Sequence, residues 1–161
     1  MTGTPTGRLT GLDLSLTRTF RAPVEDVWAS VTEPDRTARW YGRWEGDAAP
    51  GRTIKVQMAY EDGQPWFDMR IDACEPPHRL ALSGIDGTFR VELLVAERDA
   101  VTELRLVHHL ENTDAVGEYG PGWEYYLDLL VAARDGTPQA SFDDYYPAMA
   151  PYYRELAGQP R

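Results

Sequence analysis

The first third of the chain changes from strand-like to helix-like spacing of apolar residues. Leu12, Leu14 and Leu16 occupy alternate positions, which predicts a β-strand with one buried face. Residues 1–8, rich in Thr, Gly and Pro, are expected to fray. A helical stripe after Pro23 predicts a short helix. Pro34 ends this helix and can start a second short one. The stripe consists of Val24, Val27, Trp28 and Val31.

From residue 53 onward, apolar residues return to every second position. Short breaks such as Glu61-Asp62-Gly63 and Asp86-Gly87 carry turn chemistry. Because such breaks join antiparallel neighbours, the pattern predicts an antiparallel meander of about six strands. Its clearest runs are "TIKVQM", "WFDMRIDAC", "RLALSG", "TFRVELLVAE" and "TELRLVHHL".

The last long periodic segment is helical. We predict that "GPGWEYYLDLL" (120–130) opens a helix with Pro121 in its first turn. A cap near residues 112–113 precedes it, and the helix runs to about Arg134, before the stop signal Gly136. One face of this helix carries large apolar residues at the i, i+3, i+4, i+7 spacing, namely Trp123, Tyr126, Leu127 and Leu130.

This order of elements predicts an α+β helix-grip architecture, with a curved antiparallel sheet wrapped around a long C-terminal helix. Each strand alternates, so one sheet face is buried, and only the long helix is large enough to cover it. Such a sheet leaves an apolar cavity at its open side, the usual shape of a small-molecule site. We expect one domain over residues 1–161, with a core at about 10–135 and a tail at 136–161.

The charge, the apolar runs and the cysteine content indicate which partners and which cellular location to expect. The net charge is −10 without a basic run, so we expect no nucleic-acid partner. The chain has no apolar run long enough for a signal peptide or a membrane span, so we expect no membrane partner. The single cysteine, Cys74, fits a reducing compartment, and we predict a cytoplasmic location.

Few residues carry recognisable chemistry. His108 alternates with Leu104 and Leu106 and should point inward, whereas His109 should point outward. Two histidines on opposite faces cannot share an ion, so we expect no metal site. No GxSxG or nucleotide loop is present, so we expect no cofactor and assign no catalytic residue. Cys74 lies off the apolar phase of its strand and is interpreted as a passive thiol.

The inward apolar and aromatic side chains are the candidate ligand-binding residues. Trp28 and Phe20 are interpreted as core residues only. Tyr and Trp carry polar groups that suit an amphipathic ligand, and His108 would orient it by a hydrogen bond. The candidates are Trp40, Met58, Phe67, Met69, Leu104, Leu106, His108, Trp123, Tyr126 and Leu127.

Several segments together resemble the activator of heat-shock protein 90 ATPase-like family, within the START-like (SRPBCC, polyketide cyclase) superfamily. They are "RTFRAPVEDVW" (18–28), Trp40 after "EPDRTAR", "EPPHRL" (75–80), "TELRLVH" (102–108) and "GPGWEYYLDLL". The resemblance covers roughly residues 10–135. It implies a helix-grip fold with an internal cavity, and says less about activity.

Members of this superfamily bind lipids, hormones and polyketides, and a few catalyse cyclisation or hydrolysis. Our hypothesis is therefore non-catalytic binding of a small hydrophobic or amphipathic molecule. One alternative is a cyclase- or hydrolase-type enzyme that uses His108 as general acid–base. The other is a protein-binding module, such as a chaperone cofactor, or a homodimer formed through the tail. The tail tyrosines that would form such a surface are Tyr145, Tyr146, Tyr152 and Tyr153.

Overall fold

The structure is a computed structural model that describes residues 4–159. Its strands form a single antiparallel sheet. The strands are β1 (Arg8–Thr10), β2 (Asp13–Phe20), β3 (Trp44–Gly46), β4 (Thr53–Gln57), β5 (Trp66–Glu75), β6 (Arg79–Gly84), β7 (Arg90–Arg98) and β8 (Val101–His109). In the sheet they follow the order β1-β2-β8-β7-β6-β5-β4-β3. The predicted meander is thus confirmed, and β2 closes onto its last strand.

Four α-helices complete the fold within residues 4–159. They are α1 (Val24–Thr32), α2 (Pro34–Thr37), α3 (Val116–Asp135) and α4 (Ala150–Leu156). The first two connect β2 to β3, as the apolar stripe and Pro34 predicted. The long helix α3 follows β8 and lies against the sheet, which confirms the predicted α+β helix-grip fold. None of the helices in residues 4–159 is long and apolar enough to cross a lipid bilayer.

Helix α3 begins earlier than its sequence signals suggested. Its first residue is Val116, so Pro121 lies in the second turn rather than in the first. The helix ends at Asp135, where Gly136 adopts a left-handed φ of 69° that favours glycine. Its predicted apolar face is buried, from Trp123 to Leu130.

The N-terminal segment is ordered from residue 4 onward, so the prediction that it frays is wrong for this part. Arg8 pairs with Ser15 at the start of the β1–β2 ladder. The backbone N–H of Gly7 donates to the hydroxyl of Tyr153 in α4, at 3.1 Å. Residues 1–3, which the prediction also covered, lie outside the described residues.

The tail packs on a second face of α3. Tyr153 is fully buried, and its ring lies where a Cβ on Gly120 would be, so this helix contact depends on glycine. Beside it, the carboxylate of Glu124 accepts a hydrogen bond from the Tyr153 hydroxyl at 2.5 Å. The predicted short helix around Pro151 is confirmed as α4.

Candidate functional site

An apolar cavity of about 150 Å³ lies between the sheet, helix α1, the segment after α2, and α3. Strands β4 to β8 contribute one wall through their inward alternate positions. Helix α3 contributes Trp123, and α1 contributes Trp28, Val31 and Thr32. The remaining lining residues include Trp40, Tyr41, Trp44, Ile54, Val56, Phe67, Met69, Ile71, Cys74, Leu80, Leu82, Phe89, Val91, Leu93 and Leu106.

The structure separates the ten candidate residues into two groups. The first group lines the cavity and comprises Trp40, Phe67, Met69, Leu106 and Trp123. The second group does not line it and comprises Met58, Leu104, His108, Tyr126 and Leu127.

The second group is held elsewhere by packing and hydrogen bonds. Leu104 and Leu127 are fully buried in the hydrophobic core. The Tyr126 hydroxyl donates to Glu61 at 2.7 Å. Met58 directly follows β4, where its backbone N–H donates to the carbonyl of Pro65. The alternation of apolar residues in the sequence therefore predicted which side chains point inward, but not which of them line the cavity.

His108 points inward, as predicted, but is engaged by the protein itself. Its Nδ1 accepts a hydrogen bond from the Trp123 indole at 3.1 Å. Its ring also makes edge contacts with Phe89 and Tyr119, at centroid distances of 4.7 and 4.6 Å. Burial lowers the pKa of His108 to about 4, so the ring is neutral at physiological pH. His108 thus positions the Trp123 indole through Nδ1.

His109 faces the opposite side of the sheet, as predicted. Its two ring nitrogens hydrogen-bond to Asp13 at 2.7 Å and to Glu92 at 2.6 Å. Burial lowers the pKa of His109, but these two carboxylates outweigh burial and raise it above its usual value. Across residues 4–159, no three His, Cys, Asp or Glu side chains are grouped to hold a metal ion.

Cys74 contributes to the cavity wall, which its sequence phase did not predict. The β5–β6 register shifts between Ile71 and Ala73, so that Ile71 pairs with Leu82 and Cys74 pairs with Leu80. This bulge adds one residue to β5 and reverses the facing of the residues after it. The thiol therefore lies on the cavity side, whereas simple alternation places it outside.

The polar groups of the cavity wall are mostly used within the protein. The indole N–H of Trp40 donates to the Ser30 carbonyl at 2.9 Å, and that of Trp44 to the Thr32 carbonyl at 2.7 Å. The Trp123 indole donates to His108. Within residues 4–159 the Tyr41 hydroxyl has no hydrogen-bond partner. Burial first, and the nearby Glu61 second, raise the pKa of Tyr41, so it remains a donor.

One lining residue was predicted in another role, and one was left out of the ten candidates. Trp28 was interpreted as core only, yet it borders the cavity. Tyr41 was not among the ten candidates, although it directly follows Trp40 and stacks on Trp123 with an interplanar angle of 12°. The available signal was the aromatic pair at residues 40–41.

Two of the four tail tyrosines are unavailable to a partner. Tyr145 and Tyr153 are almost entirely buried, at 2% and 0% exposure. The Tyr145 hydroxyl donates to Asp128 at 2.6 Å, and the Tyr152 hydroxyl donates to the Gly7 carbonyl at 2.8 Å. The predicted partner surface is therefore wrong for Tyr145 and Tyr153, whereas a surface that includes the half-buried Tyr146 and Tyr152 stays a prediction.

Comparison with known proteins agrees with this architecture. CalU16 from Micromonospora echinospora is 26% identical, with a TM-score of 0.74 over 94% of each chain. A protein from Bordetella parapertussis, 22% identical, has a TM-score of 0.75 over 96% of this chain and 89% of its own. DynU16, a protein in the dynemicin biosynthetic locus, is 22% identical, with a TM-score of 0.67 over 83% of this chain and 51% of its own.

These likenesses at 22% identity show the fold alone. No curated protein matches the sequence. The sequence model described as Activator of Hsp90 ATPase homolog 1-like protein matches residues 21–134, which is most of the chain. The protein therefore belongs to the Activator of Hsp90 ATPase homolog 1-like family.

Proposed function

We propose that the protein binds a small, predominantly apolar molecule in the cavity between the sheet and α3. The observation that carries this proposal is the composition of the wall. Aromatic and aliphatic side chains line the hollow, and its three hydrogen-bonded indoles, Trp40, Trp44 and Trp123, direct their N–H groups to protein acceptors. A ligand with several polar groups would lose hydrogen bonds to water there without replacing them.

The size of the cavity limits the ligand. Apolar cavities of about 150 Å³ stay dry and accept molecules of the size of benzene. Tyr41 lines the cavity, and its hydroxyl has no hydrogen-bond partner among residues 4–159, so it could satisfy one polar group on the ligand. We therefore propose a compact aromatic or aliphatic ligand with at most one hydrogen-bonding group.

Binding is proposed rather than catalysis. A general base must be within reach of the ligand and must be able to accept a proton. His108 does not line the cavity, and its Nδ1 already accepts the Trp123 hydrogen bond. The family name suggests a chaperone partner, and two of the four tyrosines predicted to contact one, Tyr145 and Tyr153, are buried. The cytoplasmic location stays a prediction from the sequence.

Native mass spectrometry of the purified protein, with identification of co-purified small molecules, tests this proposal. Cys74→Phe would place a ring inside the cavity, and Ala73→Phe would place the same ring on the other face of β5. We expect a small-molecule adduct on the wild type and on Ala73→Phe, but not on Cys74→Phe. Equal adducts on all three proteins would place the ligand elsewhere and refute the proposal.

A further inference from the structure

A second cavity, of about 270 Å³, lies on another side of the Trp40 ring. Helix α1, the segment from α2 to Trp40, and the C-terminal part of α3 border it, and it opens to solvent. Three arginines contribute to its wall, in a chain whose net charge is −10. The wall is formed by Arg36, Arg39, Arg134, Asp26, Ser30 and a small apolar set.

The inner part of this cavity is held by ionic hydrogen bonds. Arg134 donates to Asp26 Oδ2 at 2.7 Å and to the Ser30 hydroxyl at 2.7 Å. Asp26 Oδ1 accepts from Arg36 Nη1 at 3.0 Å. The hydrogen bonds from Arg134 and Arg36 hold the pKa of Asp26 below its usual value. The carboxylate therefore stays charged and fixes the two guanidinium groups beside the cavity.

The outer part of the cavity retains unused donors. Arg39 is exposed, and its guanidinium has no ion pair or hydrogen bond with any residue in the range 4–159. Arg36 also pairs with Glu33, but only at 3.7 Å through Nε, which leaves its Nη2 donors unused. Three arginines thus stand against two carboxylates, Asp26 in the wall and Glu33 beside Arg36, and the remaining positive charge favours an anion.

A small part of the cavity wall is apolar. It consists of Ala133 of α3, with the edges of the nearly buried Leu130 and Trp40 side chains. A guanidinium group matches the two oxygens of a carboxylate, and this apolar area offers a contact to the carbon body of a compact organic anion.

We propose that this second cavity binds a small organic carboxylate, whose charged group is held by Arg36 and Arg39 and whose carbon body contacts Ala133 and the edge of Trp40. The proposal does not rest on ligand binding in the first cavity. Trp40 contributes to both walls, so its indole signal responds to both sites. Trp123 lines only the first cavity, so its signal distinguishes the two.

The test is an NMR titration with benzoate, benzamide and inorganic phosphate as probes. The indole N–H of Trp40 donates to Ser30, whose hydroxyl accepts from Arg134, so this signal lies close to the cavity. We expect benzoate to shift the Trp40 signal saturably and to leave Trp123 unchanged. Benzamide, which has the same shape without the charge, should bind much more weakly, and phosphate should compete poorly.

Charge-reversal variants distinguish binding at this cavity from a non-specific attraction of benzoate to positive charge on the protein surface. Arg39→Glu should weaken benzoate binding about tenfold or more at low salt, since an attraction becomes a repulsion. Arg52→Glu, an equally exposed arginine outside the cavity, should leave the affinity nearly unchanged. Equal effects of the two variants, equal binding of benzamide, or the absence of a saturable shift with benzoate would each overturn the proposal. Tighter binding of phosphate than of benzoate would refute the organic carboxylate.

Discussion

Glu124→Ala is expected to cause a large loss of stability, because one buried carboxylate connects four parts of the fold. Glu124 is 1% exposed. It accepts hydrogen bonds from the Thr6 backbone N–H at 2.5 Å and from the Thr6 hydroxyl at 2.6 Å. It also accepts from Tyr153 in α4 at 2.5 Å and from Arg18 in β2 at 2.9 Å. The N-terminal segment, β2 and α4 thus meet on α3.

The size of the stability loss depends on which other hydrogen bonds the partners of Glu124 keep in the variant. Removing one partner of a buried ion pair costs about 3–5 kcal/mol. Arg18 keeps Asp128 at 3.0 Å, and the Tyr153 hydroxyl keeps the Gly7 N–H at 3.1 Å, so we expect the lower end of this range. A loss of about 3 kcal/mol lowers the melting temperature of a domain of this size by roughly 6–12 °C.

The same carboxylate predicts a pH dependence. Burial raises the pKa of Glu124, but the hydrogen bonds from Thr6, Tyr153 and Arg18 outweigh it and hold the pKa below its usual 4.5. A lowered folded pKa means that the unfolded state binds more protons as the pH falls. The stabilisation is therefore complete above the usual carboxyl pKa and is lost as the pH falls through the lower folded value.

Urea denaturation followed by circular dichroism measures both effects. The control is Glu118→Ala, an exposed position on the same helix, which should change the free energy of unfolding by less than about 0.5 kcal/mol. We expect Glu124→Ala also to have a shallower acid dependence than the wild type. A cost below about 1 kcal/mol at neutral pH would show that the buried network is not formed as described.

Three further predictions concern the side chains around the first cavity. Trp123→Ala should cost about 3 kcal/mol in urea denaturation, the low end for a buried tryptophan because one side borders the cavity, and an unchanged midpoint would contradict this. NMR titration should show His108 protonating near pH 4, so His108 should make the free energy of unfolding fall as the pH drops from 6.5 towards 4, and this contribution should be absent in His108→Leu; titration near 6.5 would disprove its burial. Tyr41→Phe should weaken binding of p-cresol by about 0.5–1.5 kcal/mol in calorimetry and leave toluene unchanged, whereas equal losses would mean that the hydroxyl makes no contact.

The sequence predicted those strands and helices in which a periodic pattern of apolar residues is long enough to repeat. It did not predict features that depend on a single contact between distant residues. Strands β4 to β8 contain five to ten residues each, long enough for a period of two to be visible. β1 and β3 have three residues each and were not predicted, because so short a run shows no period. The start of α3 was placed too late because Pro121 was read as a first-turn signal, although the helix accommodates it in the second turn.

The site was predictable in outline only. The alternating strands and the Trp123 face of α3 indicated two walls, but the bulge that turns Cys74 inward depends on the pairing between β5 and β6. His108 was placed inward correctly, yet its partner is a side chain on α3, which strand periodicity does not specify. The Glu124 network joins residues 118 positions apart, and no local pattern marks it.

The most direct test of ligand binding in the first cavity is an NMR titration of the protein with toluene. Trp123 and Trp44 both line this cavity, and Trp44 does not line the second one, so their indole signals report on the first cavity alone. We predict saturable shifts of both signals in the wild type and in Ala73→Phe, and none in Cys74→Phe, whose added ring fills the hollow. Saturable shifts of the same size in Cys74→Phe, or no shift in the wild type, would contradict binding in this cavity.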